Sequence, residues 1–340
     1  MRGRSFILLL GLTALLAGAA IYCLSSAYKA PVLQADGQRL YPELAEALND
    51  LAWMRIGRAG SKVDFAAING NWVVVEKGNY PASPAKIRRL LLGLSELTLV
   101  EPKTQRPDLF ARLDLDDPAT GKGTLVQLQD RQGKPVVNLI VGKQRRDRLG
   151  GGRDGVYVRK PGENQTWLAR GKIDVSGAAV HWLHRRIIDI SQSRIASLSL
   201  KAPDESAVLL HRDSGTMPFA LADPPADAQL KPASALAAPA AALAGLELED
   251  VKPAPELTVP EEGVQTATFE TFDGLKIEVR LFRHDNADWA AISVSGSDSA
   301  LAEAKALGAN LGHWVYALPA ERAKLLRTRL ADLLQPAKNS

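Results

Sequence analysis

The sequence predicts an α+β protein in which an N-terminal transmembrane helix precedes two diverged repeats of mainly antiparallel sheet with packed helices. Three observations predict it. Residues 6–24 run for nineteen positions without a charge. Behind them, short strand-like runs broken by Asn-Gly and Gly turns outnumber helical stripes. Those runs recur in a similar order in the two halves of the body.

The apolar stretch FILLLGLTALLAGAAIYCL covers roughly 28 Å as a helix, close to one bilayer core. Arg2 and Arg4 precede it and Lys29 is the first charge after it, so the basic tail stays cytoplasmic and the body is exported. Two other readings export the body equally. Small residues at Ala17-Gly18-Ala19 and Ser25-Ser26-Ala27 would suit a cleaved leader, but the run is longer than a leader core of about 7–15 residues. Cys23 would suit a lipoprotein, but bulky Tyr22 stands where a small residue is needed. Length favours the uncleaved anchor, with the body on the far side of the membrane.

The 340 residues have room for this anchor and two domains. With 46% hydrophobic and 24% charged residues, the chain is neither wholly disordered nor polytopic. Lys and Arg number 42 against 38 Asp and Glu; Arg2 and Arg4 belong to the tail, leaving the rest close to balance. That balance argues against a nucleic-acid partner. A single cysteine excludes an intrachain disulfide. The expected division is residues 1–27 as tail and anchor, 28–52 as connection and helix, 53–190 as the first repeat and 191–340 as the second.

In chain order, Pro42 to Asp50 reads as a helix with Leu44, Ala47, Leu48 and Leu51 on one face. Val63–Ile68 and Trp72–Val75 flank Asn69-Gly70-Asn71 as a hairpin. Ser83-Pro84 opens a helix as N-cap and first position, with Ile87, Leu90, Leu91, Leu94 and Leu97 inward and Lys86, Arg88 and Arg89 outward. Strands are expected at 124–129, 136–141, 155–159 and 166–169. The second half repeats this with strands at 195–200, 208–211 and 218–221 and an Ala-rich segment from Pro232 to Leu248. Strands at 266–272 and 277–282 follow, and Trp314–Ala317 is matched to Val156–Arg159. The Ala- and Pro-rich residues 226–254 read either as a linker or as a helix interrupted near Pro239. A last helix carries Leu325, Leu326, Leu330, Leu333 and Leu334.

Candidate chemistry is sparse. His181 and His184, three apart on an expected helix, could share a metal, but no third ligand is indicated and Arg185 and Arg186 repel a cation; capping of a helix end explains them better. Ser83-Pro84-Ala85-Lys86 fits the Ser-x-x-Lys pattern of penicillin-recognising acyltransferases, yet the Ser-Asp-Asn and Lys-Thr-Gly partners are absent. Lys143, Arg145, Arg146, Arg148 and Arg153 surround Gly150-Gly151-Gly152, with strand patterns on both sides. A phosphate cradle needs a helix after the loop, so this is a long hairpin loop: a solvated segment or a contact for lipid headgroups or an acidic partner. Asp114, Asp116 and Asp117 lack the spacing of a calcium loop. No catalytic residue, cofactor or metal is indicated.

Several segments in order carry a family resemblance: Trp72, then Ser83-Pro84-Ala85-Lys86-Ile87, Leu91-Leu92-Gly93-Leu94, Asp116-Asp117-Pro118, Val141-Gly142 and Val156-Tyr157-Val158-Arg159. Trp182-Leu183-His184-Arg185-Arg186-Ile187-Ile188-Asp189-Ile190 and Gly312-His313-Trp314-Val315-Tyr316-Ala317-Leu318-Pro319 complete them. Together they resemble the bacterial family called domain of unknown function 4340. Leu113-Asp114-Leu115 departs from the pattern by lacking a glycine before the Asp-Pro turn. The resemblance implies an inner-membrane-anchored envelope protein, often encoded near ABC-type transport components related to gliding-motility systems, and carries over no catalytic residues. The expectation is a non-catalytic accessory protein whose partner is an ABC-type permease or another envelope protein. The alternatives are an envelope acyltransferase or hydrolase using Ser83 and Lys86, or a ligand-binding module with a pocket between the repeats.

Overall fold

The computed structural model describes residues 37–145, 154–226 and 229–336. The apolar stretch 6–24 and Arg146, Arg148 and Arg153 lie outside them. Among the described residues no helix is long and apolar enough to cross a membrane.

Alternating apolar residues build the first sheet from β1 (Leu51–Arg58), β2 (Ser61–Ile68), β3 (Asn71–Val74), β4 (Tyr80–Pro81), β5 (Thr98–Pro102), β6 (Thr124–Asp130), β7 (Pro135–Arg145), β8 (Gly155–Arg159) and β9 (Thr166–Arg170). All pairs are antiparallel, in the order β4-β3-β2-β1-β6-β7-β8-β9-β5. The expected hairpin closes on Asn69 and Gly70, both at positive φ (50° and 79°), the combination a tight two-residue turn requires. Residues 37–40 run along β5, with Leu40 N–H donating to Leu97 O and Leu99 N–H to Gln38 O, which covers that sheet edge.

Leu51 was expected on a helix and opens a strand instead. The helix α1 spans only Leu44–Ala47. β1 pairs with β2 on one side and β6 on the other, and a register shift between Leu51 and Trp53 puts Leu51, Met54 and Ile56 all inside. That irregularity erases the period-two pattern and leaves a spacing that imitates a helix. The helix α2 (Pro84–Glu96) follows expectation, burying Ile87, Leu90, Leu91 and Leu94. Ser83 holds the N-cap position, but its hydroxyl makes no capping bond. Its backbone N–H instead donates to Trp182 O at 2.7 Å.

After the short helix α3 (Ala179–Trp182), β10 (Arg186–Ile188) pairs with β14 (Leu246–Glu247). The second large sheet holds β11 (Ile195–Lys201), β12 (Val208–His211), β13 (Ala220–Leu221), β15 (Asp250–Pro253), β16 (Gln265–Thr271), β17 (Leu275–His284), β18 (Ala287–Gly296) and β19 (Trp314–Leu318). Its order is β13-β12-β11-β16-β17-β18-β19-β15. The Ala-rich segment forms α4 (Ala233–Ala237), tightening into a 3-10 turn over Ala238–Ala241 at Pro239. The helix α5 (Leu301–Leu311) lies between β18 and β19, and the expected last helix is two pieces, α6 (Ala320–Leu326) and α7 (Leu330–Leu333).

The strands β1, β5, β15 and β18 and the helix α5 escaped the sequence reading. In β18 the neighbours Trp289 and Ala290 enter different apolar clusters, so alternation is broken in the first half of the strand and holds only over Ala290–Ser295. Val156–Arg159 lies in β8 and Trp314–Ala317 in β19, which stand at different places in the two strand orders. β8 lies between β7 and β9, as β18 lies between β17 and β19.

One continuous apolar core joins both sheets, through residues such as Phe65, Leu94, Trp182, Leu243, Phe269 and Tyr316. At the seam, Tyr80 stands edge-on to Trp314 (centroids 5.0 Å) and to Tyr316 (6.4 Å). Lys77 Nζ meets Asp250 Oδ1 at 2.5 Å. Gly78, at φ 63°, lies so near β15 that a Cβ would stand 2.3 Å from Pro253 Cγ. Burial pushes the Tyr80 hydroxyl up to about 12 and the Tyr316 hydroxyl upward as well.

Two clasps of the same form close the two sheets. Ser83 N–H donates to Trp182 O and His184 N–H to Pro81 O; Lys231 N–H donates to Leu333 O and Gln335 N–H to Gln229 O. A lysine ammonium seals each, Lys86 on the His181 carbonyl and Lys231 on the Asp332 carbonyl.

Trp182 is fully buried and meets Phe65 edge-on at 5.4 Å. Trp182→Ala is expected to lower stability by about 3–5 kcal/mol, read as a shift of the denaturant midpoint. Arg194 bridges Glu303 of α5 (2.8 Å) and Asp273 of the β16–β17 turn (2.7 Å). The Arg194 guanidinium holds Glu303 below its ordinary value, and the Thr271 hydroxyl and then Arg194 do the same for Asp273. A lowered folded value stabilises above the ordinary carboxylate range and loses that stabilisation as pH falls through the folded value. Arg194→Ala is therefore expected to flatten the decline of stability between about pH 5 and pH 3, measured by denaturation across that range.

Candidate functional site

The structure places the sequence-predicted candidates in three settings. Lys86, on the first turn of α2, directs its ammonium to the His181 carbonyl, a backbone acceptor, as part of the clasp. His181 lies within α3, one residue before its end, with Nε2 2.9 Å from Asp174 Oδ2, whereas His184 lies beyond the helix in the clasp. The expected shared helix therefore does not form, and no group of three metal-ligating side chains occurs among the described residues. The basic segment is flanked by the paired strands β7 and β8, as expected of a hairpin loop. Lys143 Nζ folds back to the Arg112 carbonyl at 2.8 Å, 3.8 Å from Asp114 Oδ1. Arg145 lines a cavity of about 280 Å³ with Arg170, Glu101 and Asp154. Asp116 Oδ1 accepts the N–H groups of Lys122 and Gly123, which uses that carboxylate to shape its own loop.

A different site stands out: an apolar groove of about 550 Å³ beside the first clasp. One wall is Trp72 on β3 with the Asn69-Gly70 turn at its end. The other is one flank of α2, where the edges of the buried Ile87 and Leu91 meet Pro84 and the exposed Leu92, with Leu48 and Asn49 beyond α1 and His184 closing the end. Leu92 is 43% exposed, high for a leucine with a groove beside it. Arg88 lines the same wall, and none of the lining residues is acidic. All of these residues belong to the first sheet and its clasp, so the groove is not a pocket between the two sheets.

The corresponding place on the second sheet is closed. Ala67 pairs with Trp72 across β2 and β3. Continuing the β12–β13 register beyond His211 and Ala220 sets Arg212 opposite Phe219. The Arg212 guanidinium stacks over the Phe219 ring at 4.3 Å and donates to the carbonyls of Ile195 (2.8 Å), Gly215 (3.1 Å) and Gln192. Phe219 is only 3% exposed, and burial lowers the Arg212 pKa. Ala67 has no arm to do the same for Trp72.

One residue of the groove carries a local signal in the sequence. The stripe of α2 at 87, 90, 91 and 94 faces the core, and Leu92 lies outside it. An extra leucine on the wet side of an amphipathic helix marks an apolar surface.

Fold and groove define an α+β protein of two antiparallel sheets sharing one core, with a preformed apolar site on one of them. Residues 72–265, more than half of the chain, match the family described as Domain of unknown function (DUF4340), and the chain belongs to that family. The matched stretch runs from β3 to the first residue of β16, taking in the groove helix and the first clasp. No curated protein matches the chain, and no solved structure does.

The commitment of Lys86 to a carbonyl has a measurable cost. Lys86→Met is expected to destabilise the fold by about 1–3 kcal/mol by leaving the His181 carbonyl unmet. An unchanged denaturation midpoint would show that the ammonium is free for other work.

Proposed function

We propose that this protein is a membrane-anchored accessory component of the bacterial envelope. It is tethered in the inner membrane by residues 6–24, exposes its body to the periplasm and acts by binding. Its partner is an ABC-type transporter or another envelope complex. The charge-free stretch behind Arg2 and Arg4 supports the tether and its orientation. We read the body as two diverged repeats, residues 53–190 and 191–340. The coincidence of strand order and the paired clasps support that reading. The segment from Lys143 to Arg153 is the stretch we assign to anionic headgroups or an acidic partner surface.

The observation that carries a binding role is the groove on α2. A concave apolar surface with rigid walls and a few polar groups at its rim is the ordinary form of a binding site. The nearest candidate for covalent chemistry, Lys86, is bonded to a backbone carbonyl. Crosslinking the full-length chain in native membranes, followed by purification and mass spectrometry, tests the proposal. A permease or its ATPase is expected in near-stoichiometric amount, and the absence of any specific membrane partner would overturn the accessory reading.

A further inference from the structure

The groove has walls for an apolar chain and one cation with nothing to neutralise it. Arg88 is exposed on α2 and makes no hydrogen bond or ion pair among the described residues. No carboxylate lines the groove, so a cationic ligand would meet uncompensated repulsion, and a wholly apolar one would leave the guanidinium unused. The volume of about 550 Å³ falls within the range of roughly 300–1,000 Å³ typical of small-molecule sites. On the second sheet the equivalent aromatic, Phe219, is sealed by the chain's own Arg212, whereas Ala67 leaves the place beside Trp72 open. The fold therefore closes this place once from within and leaves it vacant once.

We propose that the groove binds a single-chain fatty carboxylate, its alkyl chain along Trp72, Ile87, Leu91 and Leu92 and its carboxylate on Arg88. The planar guanidinium fork matches a carboxylate with two parallel hydrogen bonds, which a lone lysine could not offer. The apolar walls remove the alkyl chain from water, which favours binding in proportion to the methylenes buried. This inference rests on reading the protein as one that acts by binding, and it names what the groove takes.

The test uses the full-length chain held in an amphipathic polymer and a diazirine-bearing hexadecanoate as the photoreactive probe. Saturable labelling is expected in the peptides that carry Trp72 and Leu91-Leu92, displaced by excess plain hexadecanoate. Arg88→Glu should lower that labelling about tenfold and raise labelling by a diazirine-bearing hexadecyl trimethylammonium probe. Leu92→Asp, at an exposed position, should also weaken labelling while leaving the unfolding transition in place. The inference is overturned if label scatters over the outer faces of the sheets, or if Arg88→Glu leaves hexadecanoate labelling unchanged. It is equally overturned if a monoacylglycerol phosphate displaces the probe and hexadecanoate does not. A membrane partner recovered alongside failed labelling would remove this ligand and leave the accessory role standing.

Discussion

The packing of Tyr80 against Trp314 and Tyr316 is the constraint from which the rest of the structure follows. It brings the β4 edge of the first sheet against β19 of the second, and the apolar faces of both sheets then fuse into one core. The approach is close enough to require glycine at position 78, which faces Pro253, and the Lys77–Asp250 ion pair spans the same boundary. An open sheet has two edges and an apolar face to hide. Here one edge and one face are hidden by the other sheet, so the two cannot part without exposing aromatic surface.

The clasps explain how segments with little regular structure hold fixed places. Residues 181–184 and 332–335 each return to the start of a helix, and backbone hydrogen bonds to the residues before it fix the angle at which α2 and α4 leave the sheets. The Ser83 N–H, the Lys86 ammonium and the His181 carbonyl are employed in this construction, and the His181 ring meets Asp174. What remains beside the clasp is apolar and concave. The groove is thus a consequence of architecture: α2 is anchored at its first turn, and its outward face stands clear of Trp72.

Places at the same point of the two strand orders differ in how they are filled. In the second, Arg212 lies over Phe219 and donates to the carbonyls of Ile195, Gly215, Met217 and Gln192, which fills the place with the chain's own atoms. In the first, Ala67 and Arg88 leave an aromatic wall and an unmatched cation. Membership of a family defined only as a domain of unknown function leaves the groove as the feature from which a role can be argued.

The sequence by itself determined the α+β class, the hairpin at Asn69-Gly70, the helix starting at Pro84, the strands around the basic loop and the family. Each of these is written in local pattern: a turn needing positive φ, a proline at a first helical position, an alternation of period two. Only the tertiary structure decided the rest. Leu51 opens a strand because β2 and β6 claim β1 from both sides, and a bulge there counterfeits helical spacing. β18 buries the adjacent Trp289 and Ala290 on opposite faces, which breaks its alternation in the first half of the strand. The groove depends on Trp72, Leu92 and His184, which are distant in sequence and meet only because the clasp returns residue 184 to residue 81. Local pattern encodes which face of an element is apolar, but which faces remain uncovered is settled by what packs against them.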